Sequence, residues 1–414
     1  MSSGGLDLLS ASAKLLFQNG QTTERTVLTV ERIGAVLGYH CLLFPHWGEL
    51  TIRIDGPTGL LQEVIAAQPA GVDMNKVAAT TKVVDELCNG QIDVWMARSS
   101  FEAISRYPPV GLARCALLAA AGAAALGVIF GTAHWLSLGL IALSAGLGAC
   151  LRHWLAGLSH NLFVQPFCAA LLAGCIGAVA VRLQLSSALR LIALCPCMVL
   201  VPGPHLLNGA LDLIRGRLAL GSARLGYALL IIIAICCGLL FGLSLGGVSL
   251  PASGAATAVP FGYDLIAAGV AVGAYGTFFA MPWRTLPVPI LIGAIAHGIR
   301  WAVIFLAGGS VQTGAFVACF VVGIVATPIA DRMRLPFAAF GFASVVSLIP
   351  GVFLFRMAGG LVELIAPGNR ASPELLLSTV ADGMTATLIF VAMTLGLIAP
   401  KLLIEHFFPR SQTI

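Results

Sequence analysis

Cys195-Pro196-Cys197-Met198-Val199-Leu200-Val201-Pro202-Gly203-Pro204-His205-Leu206-Leu207-Asn208-Gly209-Ala210-Leu211-Asp212 is the stretch whose reading decides the fold. It is apolar enough to lie in a bilayer, yet it holds three prolines. Each proline removes a backbone N–H and clashes with the carbonyl four residues earlier, so a helix here must break or kink near Pro202 and Gly203. Beyond the break, His205, Asn208 and Asp212 share one helical face. A broken helix at membrane depth is tolerated only where it packs in protein or lines a watery cavity.

Working outward, the same device recurs in Ser347-Leu348-Ile349-Pro350-Gly351-Val352-Phe353-Leu354-Phe355-Arg356, and Pro350 lies 148 positions after Pro202. Pro202 to Asn208 and Pro350 to Arg356 are both six residues. The 148-residue offset also pairs Arg152 with Arg300 and Phe130 with Phe278. These matches read as a duplication. Interrupted apolar segments at corresponding places in two halves are the best sequence pointer to a transporter's binding site.

Composition agrees. Charged residues are 10% of the chain, against about 25% in ordinary soluble domains, and the mean hydropathy is +0.95. The 47 glycines suit closely approaching membrane helices. The net charge of +5 sits mostly in loops, where it bears on orientation rather than on nucleic acid. Most of the 11 cysteines lie in apolar runs and read as packing residues. No CxxC pair or zinc-spaced Cys/His cluster is present, so neither a metal nor a cofactor is expected. Residues 1 to 30 lack a continuous apolar h-region, which keeps the N-terminus in the cytoplasm.

Residues 1–109 read as a small α+β cytosolic domain. Leu8 to Phe17 and Thr23 to Leu37 look helical; Val27, Val30, Ile33 and Leu37 recur at helical spacing. Tyr39 to Phe44 and Glu49 to Ile54 look like strands around a turn. Asp73 can cap a helix to Cys88, and another helix covers Ile92 to Ser105. His40, His46 and Glu49 could be drawn as a metal or hydrolytic site, but no nucleophile motif or third ligand accompanies them. A solvated turn is the preferred reading.

Ten spans follow. The first membrane unit, 110–250, has Val110 to Phe130, Trp135 to Leu151, Phe163 to Val181, Leu189 to Ile214 (broken) and Leu225 to Leu245. The second, 251–414, has Tyr263 to Ala280, Leu286 to Leu306, Gln312 to Ala330, Phe337 to Phe355 (broken) and Leu375 to Ala399. Five is odd, so the second repeat must be inverted relative to the first. The expected fold is an all-α polytopic membrane protein of two five-helix inverted-topology repeats. With the N-terminus inside, Arg152, Arg215, Arg217, Arg224, Arg284, Arg332, Arg334, Lys401 and Arg410 fall on the cytoplasmic side. Arg182, Arg190 and Arg370 fall outside, and the linker Gly246 to Gly262 has no basic residue. That excess follows the positive-inside rule and places both termini in the cytoplasm.

Ionisable groups at membrane depth are functional candidates. The deepest are His205, Asp212, His297, Arg300, Arg356 and Asp382, with Arg152 and Glu363 nearer an interface. Each has a plainer reading: Arg152 as a positive-inside anchor, His297 and Arg300 as a structural pair, Asp382 as a helix-packing contact. A helix break frees backbone groups that bind an ion or zwitterion. An aspartate beside it can load and release a proton, and an arginine can hold a carboxylate bidentately. The expected substrate and ion pathway is Pro202, Gly203, His205, Asn208, Asp212, Arg300, Pro350, Gly351, Arg356 and Asp382. These parts suit a small carboxylated solute driven by protons. No phosphate-cradling loop is present, so ATP drive is not expected.

The chain resembles the threonine/serine exporter family over nearly its whole length. The resemblance is carried by Gly20-Gln21-Thr22-Thr23-Glu24-Arg25, Val30-Glu31-Arg32 and Gly71-Val72-Asp73-Met74-Asn75-Lys76-Val77 in the first domain. In the first membrane unit it rests on Val201-Pro202-Gly203-Pro204, Asn208, Asp212 and Gly221-Ser222-Ala223-Arg224, and in the second on Ile349-Pro350-Gly351. It implies a non-enzymatic, proton-coupled antiporter that exports threonine and serine across a bacterial inner membrane. In some relatives the two modules are separate proteins that together look like a dicarboxylate exporter; here they are fused. A homo-oligomer is compatible with this reading.

Three other readings compete with this one. A dicarboxylate exporter would use Arg152 and Arg300 for two carboxylates. A membrane-anchored hydrolase with its site in residues 1–109 leaves the paired Pro-Gly breaks without a purpose. A receptor or scaffold gives no reason for facing buried charges.

Overall fold

The computed structural model describes residues 3–56, 59–132, 134–159, 161–185, 189–250, 259–366 and 372–407. Its N-terminal layer runs α1 (Ser3–Gln18), α2 (Thr23–Val36), β1 (His40–His46), β2 (Gly48–Gly56), β3 (Gly59–Ala67), α3 (Met74–Cys88) and α4 (Val94–Ser105). Side-chain oxygens of Thr22, Asp73 and Asp93 accept from the backbone N–H three residues on, satisfying donors a helix start leaves orphaned. The antiparallel sheet is ordered β1-β2-β3. Leu50, Ile52 and Ile54 alternate into a core shared with Leu8, Phe17, Val30, Ile33, Phe101 and others of this layer. The strand β3 was not expected from the sequence. Its outward Leu60, Leu61 and Val64 are exposed, so no clean apolar alternation marks it.

The rest is helical: α5 (Leu112–Ile129), α6 (Trp135–Ala156), α7 (Val164–Arg182), α8 (Leu189–Met198), α9 (Gly203–Ile214) and α10 (Leu218–Leu245). Then come α11 (Phe261–Phe278), α12 (Pro287–Phe305), α13 (Val311–Arg332), α14 (Phe337–Ser344), a 3-10 turn at Val346–Leu348, α15 (Gly351–Ile365) and α16 (Pro373–Phe407). Among the described residues, eight helical segments are long and apolar enough to cross a membrane. The pair α8 and α9, bent by 53°, makes a ninth. The sequence suggested ten; α11, with Asp264 buried in its first turn, falls outside the group.

Both breaks lie where the prolines put them. The chain leaves helix after Met198 and re-enters with Pro202 at the cap and Pro204 in the first turn of α9, where a missing N–H costs nothing. Pro350 stands at the corresponding place before α15. The helix pairing recurs between the halves. Helix α7 packs on α10 as α13 does on α16, α9 on α10 as α15 on α16, and α5 on α6 as α11 on α12. Between halves, α5 packs on α11, α8 on α15 and α14 on α9.

Several charges counted as cytoplasmic-side anchors lie inside helices. Helix α6 continues to Ala156 and includes Arg152, while α10 begins at Leu218 and takes in Arg224. Helix α16 runs to Phe407 and buries Lys401 beside Glu405. The positive-inside count therefore rests on Arg215, Arg217, Arg284 and Arg334, with Arg332 the last residue of α13. Arg370 and Arg410 lie outside the described residues, as do residues 251–258 of the linker Gly246 to Gly262.

Candidate functional site

The α9 face starts from a short helix whose apolar residues Leu207 and Leu211 turn into the core. His205, Asn208 and Asp212 are also buried, at 6%, 2% and 2% exposure. They meet the N-terminal layer. The His205 ring stands edge-on to Tyr227, centroids 5.1 Å apart, and Tyr227 in turn packs on Trp47. Asn208 Nδ2 donates to the Gly20 carbonyl at 3.2 Å. Thr23 Oγ1 donates to Asp212 Oδ2 at 3.0 Å.

Arg224 completes the cluster. It is wholly buried, with Nε 3.1 Å from Asp212 Oδ2 and its guanidinium 5.2 Å from the Phe17 ring centre. Arg217 Nη1 lies 3.8 Å from Asp212 Oδ1. A carboxylate and a guanidinium removed from water offset each other's desolvation only in good geometry with further hydrogen bonds. Thr23 supplies one such bond to each partner, since Arg224 Nη2 donates to its hydroxyl at 3.4 Å.

Around this core lies a ring of half-exposed charge. Glu24 binds Arg215 and Arg217 at 2.6 and 2.7 Å. Arg215 also reaches Glu405 on α16, and Arg25 pairs with Asp331 on α13. Asp85 bridges Arg32 and Arg334, and the Met74 N–H donates to the Phe279 carbonyl at 2.9 Å. The N-terminal layer thus holds both halves of the helical part.

Burial alone would raise the Glu24 pKa. The hydrogen bonds and charges of Arg217 and Arg215 outweigh it and hold the carboxyl below its ordinary 4.5. A depressed folded pKa stabilises the docked layer above about 4.5 and loses that contribution as pH falls through the lower value. Limited proteolysis of detergent-solubilised protein should therefore release the N-terminal layer faster below pH 4.5, with Glu24→Gln flattening that response.

The other expected residues form separate groups. Arg356 Nε on α15 lies 2.9 Å from Asp382 Oδ2 on α16. Arg300 Nη1 is 3.4 Å from His297 Nε2, and His297 Nδ1 is 2.9 Å from Asp264 Oδ2. The sequence did not anticipate Asp264, although a lone acid in an apolar helix start is a usable signal. Arg224 and Thr23 stood in quoted motifs without a role. Pro202, Gly203, Pro350 and Gly351 frame the two breaks, which face each other across the halves. A Cβ on Gly203 would fall inside the Phe342 ring of α14, and one on Gly351 would lie 2.7 Å from Met198 Cγ of α8. The Tyr275 hydroxyl donates to the Met198 carbonyl, satisfying one acceptor that the break frees.

Residues 7–246 match the family described as "Putative threonine/serine exporter", and residues 264–403 match "Threonine/Serine exporter, ThrE". The chain belongs to the threonine/serine exporter family. It is a two-module, polytopic member of a transporter family, not of an enzyme family. That sets aside a hydrolase in the N-terminal layer of this exporter-family chain. There His40 is exposed and leans on Asp55 at 3.2 Å, and no metal-binding group of three ligands occurs among the described residues. No solved structure matches the chain.

Proposed function

We propose that this protein exports threonine and serine from the cytoplasm in exchange for protons, across a bacterial plasma membrane with both termini inside, α11 crossing as the tenth span. Residues 1–109 form the cytosolic domain, and 110–250 and 251–414 form the two inverted repeats. The observation that carries this reading is the pair of facing helix breaks, each presenting its glycine to the partner half. Membrane-buried breaks with nearby ionisable groups are the usual seat of substrate and coupling ion. Asp212 and Asp382 are the proton-carrier candidates, both buried and both beside an arginine. Engagement of Arg300 with His297 and Asp264 weighs against a two-arginine dicarboxylate site.

The test uses proteoliposomes loaded with labelled L-threonine, with and without a pH gradient. Efflux should accelerate when protons can flow opposite to the substrate, and labelled succinate should not substitute. Reporter fusions at residue 105 and after Ile414 should read cytoplasmic, and one in the 246–262 linker external. Gradient-independent efflux sinks the proton coupling; an external terminus sinks the inverted repeat.

A further inference from the structure

Arg152 differs from every other buried cation described above. It lies on α6 and projects into a small cavity of about 20 Å³, lined by Ser144, Gly148, Ala169, Pro196, Leu200 and Phe278 among others. Its Nε is out of reach of solvent and has no hydrogen-bond partner among the described residues, although the residue keeps some exposed surface. No carboxylate lies within ion-pair distance of it among the described residues. Its charged head rests instead 4.6 Å from the centre of the Phe278 ring. Arg224, Arg300 and Arg356 each have an acid nearby.

The 148-residue offset shows how the asymmetry arises. Arg300, the counterpart of Arg152, has His297 and Asp264 beside it. Their counterparts in the first half are Ala149 and Ala116, which carry neither charge nor hydrogen-bonding side chains. One half holds a neutralised arginine, and the other holds an arginine whose neutralising partner is missing. A cation removed from water without a partner is costly, so a site of this kind favours an incoming anion. The cavity wall includes Pro196 and Leu200, at the end of α8 where the helix breaks. At this volume it admits about one water, so a larger ligand enters only as the α8 end moves away.

We propose that Arg152 receives the α-carboxylate of the exported amino acid, in a site that the α8 break opens and closes. Arg152 acts there as a bidentate donor, and the small side chains around it leave room for the carboxylate rather than for an acidic side chain of the protein. This assignment rests on the export reading above, but its test does not depend on transport alone.

The full-length protein is compared with Arg152→Gln and Arg152→Lys in two measurements. The first is the melting temperature in detergent titrated with L-threonine, L-threoninamide and propionate, the last a bare carboxylate. The second is labelled threonine efflux from proteoliposomes, with L-threoninamide as competitor. A charged hydrogen-bond pair of this kind corresponds to about 10- to 100-fold in affinity. Wild type should be stabilised by threonine and propionate but not by threoninamide. Arg152→Gln should raise the KM for threonine at least about tenfold and erase the preference for the carboxylate. Arg152→Lys should keep that preference with an intermediate KM, because a lysine holds charge without the planar fork.

Wild type that binds threoninamide as well as threonine overturns the proposal. So does an unchanged KM in Arg152→Lys, a comparison that stands even if Arg152→Gln fails to fold. Protein that exports no threonine yet is stabilised by propionate in an Arg152-dependent way refutes the export reading and leaves the anion site standing.

Discussion

Asp212→Ala is expected to unseat the N-terminal layer and to cost about 3–5 kcal/mol, the range for stripping one partner from a buried ion pair. Arg224 is wholly buried and Asp212 nearly so, so neither can recruit water when the other is lost. Arg224 Nη1 already lacks a partner among the described residues, and removing the carboxylate would leave the guanidinium charge with only the Thr23 hydroxyl and the Phe17 ring beside it. Arg224→Ala should be nearly as severe. The double replacement Asp212→Leu with Arg224→Leu should recover most of the loss, because an apolar pair has no charge to strand. Thermal unfolding in detergent and proteolysis of the N-terminal layer measure both effects.

The milder Asp212→Asn decides what the carboxylate is for. It keeps the shape and an acceptor for Thr23, and it removes titration. If Asp212 carries the proton, pH-driven uphill transport disappears while substrate exchange survives, since exchange needs no net proton movement. Should both activities fall in step with stability, Asp212 is a docking pin, and Asp382 is the carrier to test by Asp382→Asn.

Gly203→Ala should abolish export, and Gly351→Ala should leave most of it. The two glycines occupy matching places, but their opposite walls differ. A Cβ at position 203 lands inside the Phe342 ring. That ring is packed at 4% exposure and cannot bend out of the way. At position 351 the Cβ meets Met198 Cγ at 2.7 Å, in a flexible side chain that can turn aside. Overpacking a tight interior costs about 1–3 kcal/mol, and the rigid site should sit at or above the top of that range. Combining Gly203→Ala with Phe342→Leu should restore folded, active protein. Full export by Gly203→Ala alone would mean that the halves do not meet at the breaks as described. Pro202→Ala and Pro350→Ala act on the same breaks by restoring a backbone donor, and they should reduce export more than expression.

What was legible in the sequence followed from strong local signals. The prolines placed both breaks, and helical spacing placed α2. The Asp73 cap placed α3; its Oδ1 accepts from the Lys76 N–H at 2.9 Å. The common face of His205, Asn208 and Asp212 also held, but its neighbour was not foreseen. A helical face shows that residues point together without saying at what, and here they point at Gly20 and Thr23, nearly 190 positions away. Charge counting failed for a related reason. Arg224 and Lys401 follow or precede apolar runs and read as anchors, yet Asp212 on the neighbouring helix lets Arg224 lie inside, and Glu405 one turn on in the same helix does so for Lys401. Asp264 shows the converse, a lone acid in an apolar helix start whose partner, His297, only the packing supplies.

The clasp of the N-terminal layer on the second half has a consequence for how such a protein can be divided. Arg25 with Asp331, Asp85 with Arg334 and the Met74-to-Phe279 backbone bond all join residues before position 110 to residues after 260. Helices α5 and α11 add a seam between the two membrane units themselves. None of these contacts uses the covalent linker. A chain cut between α10 and α11 should therefore keep its own means of recognition, because these contacts hold its two parts together without the peptide link.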